Sequence, residues 1–176
     1  RTWFKSEEDF PGPQTMQAAV QWVRTNAGHH DRSLLVIDEF DPHEPFDTPE
    51  PWASMYRNLD DEAWMIWPPY VIDGLKNGLL TEEEGRSLRA AYGAKLSMID
   101  HWFGKLLDAI DASPDADETA VIICTDHGHY LGEFDVWGKP GFPIHNTLGH
   151  IPMMIRWPGI KPRREQALTT TVDIHA

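Results

Sequence analysis

Two segments of the chain repeat their apolar residues at helical spacing. Over 15–27, Met16, Val20 and Val23 recur every three or four positions, which predicts a helix with Thr15 as its N-cap. Over 81–112 the pattern is longer: Leu88, Tyr92, Leu96, Ile99, Phe103, Leu106 and Ile110 fall on one face. Thr81 and Glu84 are spaced for a capping box, and Glu82 and Glu83 suit the positive helix start. Three short apolar runs lack that period: SLLVIDEF over 33–40, TAVIICT over 119–125 and IPMMIRW over 151–157. Each predicts a buried β-strand, the last ended by Pro158-Gly159.

The stretches between are loops. Residues 28–31 read as a turn, 41–51 as a Pro-rich acidic loop and 113–118 as a connection. Residues 47–80 read as a surface excursion; from Trp52 onward it holds Trp64, Trp67 and Pro68-Pro69, with a helical turn or two. Residues 126–147 form a long loop rich in Gly, His and Pro. Helix, strand, helix, strand is the α/β pattern, with parallel strands and a right-handed connection. In such sheets ligands gather beyond the carboxyl ends of the strands. The strand over 33–40 would deliver Asp41-Pro42-His43 there, and the strand over 119–125 would deliver Asp126-His127-Gly128. Two polar clusters far apart in sequence are expected to meet at one edge.

Composition narrows the partners. The 176 residues hold 28 Asp and Glu against 15 Lys and Arg, a formal charge of −13. That surface repels phosphate backbones, and no basic stripe offsets it, so nucleic acid is not an expected partner. No apolar run approaches the roughly 20 residues that span a bilayer. Hydrophobic residues at 41% suffice for a folded core, and eight Trp are enough that some should line a cleft or an interface. The lone cysteine, Cys124, excludes a disulfide framework and reads as buried apolar filler within its strand. The chain opens at Arg1 and closes at Ala176 in segments that both read as cut.

Asp126-His127-Gly128 offers a hard carboxylate oxygen and an imidazole nitrogen to a divalent cation, with Gly128 allowing a sharp turn after them. Alone, this triplet reads more readily as an ordinary strand-end turn. Its context is CTDHGHYLGEFDVWGK, from Cys124 to Lys139. This stretch resembles the sulfatase family of the alkaline phosphatase superfamily, whose members carry S-D-H/N-G, then L-G-E, then W-G-K. Phe40-Asp41-Pro42-His43-Glu44-Pro45-Phe46 is similar to that family's P-H-x-P-F element. Residues 92–107 resemble its Y-x-A helix, 152–159 its P-L-I-x-x-W-P-G strand, and 170–174 its T-V-D-I segment.

The resemblance implies an alkaline-phosphatase-like α/β sandwich, with a mostly parallel central sheet flanked by helices, of which this chain is a partial domain. It implies Asp126 and His127 as metal ligands, the metal being calcium. It implies Lys139 and His43 as catalytic and sulfate-binding residues, and hydrolysis of a small-molecule or carbohydrate sulfate ester. A fixed lysine suits charge on a departing oxygen, and a histidine suits its protonation. His145 and His150 flank the third strand; His145 is a candidate substrate contact, though both are otherwise unremarkable loop histidines. The family nucleophile lies in C/S-x-P-S-R, as formylglycine. Cys124 does not fit that pattern, so the nucleophile is expected before residue 1. Phe134-Asp135 stands where the family usually has H-G. Two other readings share these features: a phosphonate monoester or phosphodiester hydrolase of the same superfamily, taking manganese or zinc, and a non-catalytic binding module.

Overall fold

Proline has no backbone N–H to leave unpaired, and its fixed φ suits the first position of a helix. The first helix, α1, therefore begins at Pro11 and runs Pro11–Asn26. Thr15 is not its cap: the Thr15 hydroxyl donates back to the Pro11 carbonyl, 3.1 Å away, within the first turns. The computed structural model describes residues 4, 6–57 and 63–175.

A short helix, α2 (Trp52–Met55), and a two-residue strand, β1 (Val71–Ile72), interrupt the excursion expected over 47–80. The long helix α3 (Glu82–Asp111) follows. Its start is the expected capping box: the Glu84 N–H donates to Thr81 Oγ1 and the Thr81 N–H donates to Glu84 Oε2. Against α1 it buries a core of Phe10, Met16, Ala19, Val23, Met98 and Trp102. Nearer its N-terminus it builds a second core with Phe46, Leu80, Leu88, Ala91 and Trp137. The buried face is turned slightly from the expected stripe. Leu96 is exposed, while Ala94, Lys95, Met98 and Trp102 are buried.

The strands depart further from expectation. Residues 33–40 form neither helix nor strand and join no ladder among the described residues. Leu35 and Ile37 pack on the first core, whereas Leu34, Val36 and Phe40 face outward, Leu34 at 85% exposure. A strand apolar on both faces needs cover on both; here the helices cover one. β2 (Val121–Cys124) and β5 (Met153–Arg156) pair antiparallel, with Cys124 opposite Met153. This corrects the parallel pairing expected for these runs. Parallel neighbours need a crossover, usually a helix; between β2 and β5 the chain carries instead a β-hairpin and one helical turn, α4 (Asn146–Gly149). Cys124 is exposed, not buried filler, because it lies on the uncovered side of that two-stranded sheet.

The hairpin lies within the stretch expected to be loop. β3 (Tyr130–Leu131) and β4 (Val136–Gly138) form it, and β1 adds to β4 to make a three-stranded antiparallel sheet. Between β3 and β4, Phe134 and Asp135 adopt left-handed φ of 59° and 56°. Asp135 secures the turn by accepting the N–H groups of Leu75 and Lys76 and the Trp137 indole N–H. No helix among the described residues is long and apolar enough to cross a membrane.

Candidate active site

Tyr130 pairs with Gly138 across the hairpin, which sets His129 and Lys139 at adjoining strand ends. Both reach one carboxylate. His129 Nε2 lies 3.5 Å and Lys139 Nζ 3.4 Å from Glu44 Oε2. His43, the residue before Glu44, brings its Nδ1 to 3.4 Å from the same oxygen. The other oxygen, Oε1, accepts the Tyr70 hydroxyl. Two of the motifs singled out in the sequence, around His43 and around Lys139, thus converge on Glu44.

Glu44 has a side chain only 2% exposed. Burial alone raises a carboxyl pKa. Here its own backbone N–H and the charges of Lys139, His43 and His129 outweigh burial and hold the group below the ordinary range. Lys139, at 14% exposure, is no solvated surface lysine. Burial lowers the His129 pKa, against a hydrogen bond to the Tyr130 carbonyl and the pull of Glu44.

The His43 ring is fixed on two sides. It stacks on Phe40 with centroids 4.2 Å apart. Its Nδ1 lies 2.7 Å from the Glu44 main-chain carbonyl. A carbonyl only accepts, so Nδ1 carries the proton and Nε2 is the free nitrogen. The loop that holds it is anchored from below. Lys95, buried on α3, pairs with Asp41 Oδ1 at 2.8 Å and donates to the Pro45 carbonyl at 2.9 Å.

Asp126 and His127 sit on the surface, Asp126 at 81% exposure. His127 Nδ1 is 2.8 Å from the Gly128 carbonyl, so that nitrogen carries the proton and Nε2 presents its lone pair. Nε2 lies 3.5 Å from Asp126 Oδ2. Burial, the largest single influence, raises the Asp126 pKa, but the His127 N–H and ring, its own backbone N–H and the Thr125 hydroxyl together outweigh it and keep the carboxyl below its ordinary value. An ionised oxygen and a neutral imidazole nitrogen at that spacing fit two adjacent positions around a divalent cation. Among the described residues no third His, Cys, Asp or Glu completes a three-donor group.

Gly128 serves close approach, not the sharp turn expected of it. Its N–H donates to the Leu148 carbonyl at 2.8 Å, and a Cβ there would overlap the Thr147 carbonyl oxygen. His145 is tied to Tyr130 and Phe134 rather than to Glu44. Its N–H donates to the Tyr130 hydroxyl, and its ring lies 4.3 Å from that of Phe134.

Sequence reasoning missed Glu44 and Tyr70, and gave His129 at most a supporting place behind the residues around it. The available signal was an acidic residue directly after His43, between two prolines, and a histidine directly after Asp126-His127-Gly128.

Comparison with known proteins bears on what this arrangement serves. The sulfatase family model matches residues 12–176. A choline-sulfatase of Rhizobium meliloti is 36% identical over 171 residues, covering 90% of this chain and 33% of its own. Human iduronate 2-sulfatase is 30% identical over 182 residues, covering 87% of this chain and 32% of its own. The crystal structure of a candidate sulfatase from Bacteroides thetaiotaomicron shares the fold, with a TM-score of 0.52 at 18% identity, over 86% of this chain and 36% of the other. The chain spans about a third of the length of these relatives.

Proposed function

The chain belongs to the sulfatase family, and from that premise we propose that it carries one part of the active site of a sulfuric ester hydrolase. It is read as an internal segment of a longer catalytic chain, whose nucleophile, a formylglycine, lies before residue 1. The observation that carries this reading is the meeting of His43 and Lys139 on Glu44.

The roles follow from the atoms. The Lys139 ammonium is a mostly buried cation, able to stabilise charge that develops on a departing oxygen. His43 keeps its Nδ1 proton on the Glu44 carbonyl, and as imidazolium it carries a second proton, on Nε2, that it can pass to the leaving alcohol. Asp126 and His127 supply two ligands to a divalent cation, calcium in this reading, and the remaining donors come from elsewhere in the enzyme. Such a cation, when bound, polarises a sulfate oxygen as a Lewis acid. The substrate is a small-molecule or carbohydrate sulfate ester. His145 remains a candidate contact to the alcohol portion, held there by Tyr130 and Phe134.

The test is an activity panel on the protein expressed from its full coding sequence, with aryl sulfate, phosphonate monoester and phosphodiester substrates. Sulfate esters should turn over fastest, and Lys139→Ala should lower kcat/KM by about 100-fold or more. Faster phosphonate or phosphodiester cleavage would transfer the site to that class, with manganese or zinc. No turnover of any of the three would leave a binding module.

A further inference from the structure

One buried carboxylate stands at the centre of the candidate site without a role in it. We propose that Glu44 is a positioning residue, which acts on the reaction through Lys139 and touches no substrate. This rests on the sulfatase reading above. Its side chain is too enclosed to meet a ligand, at 2% exposure, and Tyr70 already occupies Oε1. Its Oε2 faces nitrogen atoms of His43, His129 and Lys139 at 3.4–3.5 Å. These three come from two separate segments, the 40–46 loop and the two ends of the β3–β4 hairpin. The carboxylate is therefore the joint between the two motifs.

The physical need is specific. A long lysine side chain loses much of its rotamer freedom when it is fixed. An acceptor-only group placed behind the ammonium makes that fixed rotamer the favoured one before substrate arrives. Glutamine has nearly the same shape, but one of its two polar atoms becomes a donor. An amide can turn its oxygen to the three nitrogens and its NH2 to the Tyr70 hydroxyl, but it brings no negative charge to hold the Lys139 ammonium. Aspartate keeps the charge and shortens the reach.

The experiment uses the protein from its full coding sequence as Glu44→Gln, Glu44→Asp, Lys139→Ala and the Glu44→Gln/Lys139→Ala pair. On an aryl sulfate, Glu44→Gln should lower kcat about 10- to 100-fold, the range for partners that orient an active group, with KM within about threefold of the parent. Glu44→Asp should recover most of the lost kcat. Because Glu44 acts through Lys139, adding Glu44→Gln to Lys139→Ala should cost less than about threefold more. Lys139 acylation by an activated ester, read by peptide mass spectrometry, should quicken in Glu44→Gln, whatever the enzyme's substrate. Unchanged kcat in Glu44→Gln, losses that multiply in the pair, or equal acylation rates would each overturn the proposal. A parent enzyme inactive on every sulfate ester would sink the sulfatase reading instead, and the acylation rates would still decide for or against Glu44.

Discussion

Lys95 and Asp41 form an ion pair of 2.8 Å between the middle of α3 and the loop that carries His43, with both side chains almost wholly buried. Losing one partner of such a pair strands the other charge, at about 3–5 kcal/mol. Lys95→Met should therefore destabilise the protein by roughly that amount in urea unfolding. Lys95→Met combined with Asp41→Asn should recover a large part of it, since no charge is then left unpaired. Equal melts for the single and double variants would show that the pair is not the anchor.

Gly128 and Gly85 both lie where a methyl group has no room. At Gly85 a Cβ would stand 2.5 Å from the buried Trp137 indole, and at Gly128 it would overlap the Thr147 carbonyl oxygen. Alanine at either position should cost about 1–3 kcal/mol, measured by thermal unfolding. The two should differ in kind. Gly85→Ala disturbs only the second core, whereas Gly128→Ala shifts the backbone next to Asp126 and His127 and should also weaken cation binding.

Cation content gives a separate check. Elemental analysis of the protein from its full coding sequence should find a divalent cation, and Asp126→Ala or His127→Ala should lower its occupancy at least about tenfold. Dialysis against a chelator should lower the melting temperature of the parent and leave Asp126→Ala unmoved, because only a bound ion stabilises. Unchanged occupancy in both variants would remove these two residues from the metal site.

Glu44 gives the acid limb of the stability curve a definite sign. Its folded pKa lies below its unfolded value. The folded state thus binds fewer protons, and the stabilisation is complete above the ordinary carboxylate range. It is lost as pH falls through the lowered folded pKa. Between about pH 3 and 6, the melting temperature of the parent should fall more steeply with acid than that of Glu44→Gln. Parallel curves would mean that Glu44 has no such shift.

What the sequence disclosed was what depends on near neighbours. The start of α3 was legible because Thr81 and Glu84 satisfy each other three residues apart. The start of α1 was misplaced because Thr15 looked like a cap, whereas the helix opens at Pro11. Strand partners were not legible at all. Apolar runs at 119–125 and 151–157 carry no mark of direction, so antiparallel pairing came only from the structure. In the site, His43 and Lys139 were visible through their motifs. Glu44 was not, because its importance arises only when His43, His129, Lys139 and Tyr70 come together around it.

The exposed apolar residues at 33–40 have a consequence for handling the protein. With Leu34, Val36 and Phe40 turned to solvent and their main chain outside every ladder among the described residues, this margin is adhesive. Apolar side chains grouped in the open are a surface on which another copy can settle. Concentrated solutions of the 176-residue polypeptide should therefore scatter light, and a lysine in place of Val36 should clear them.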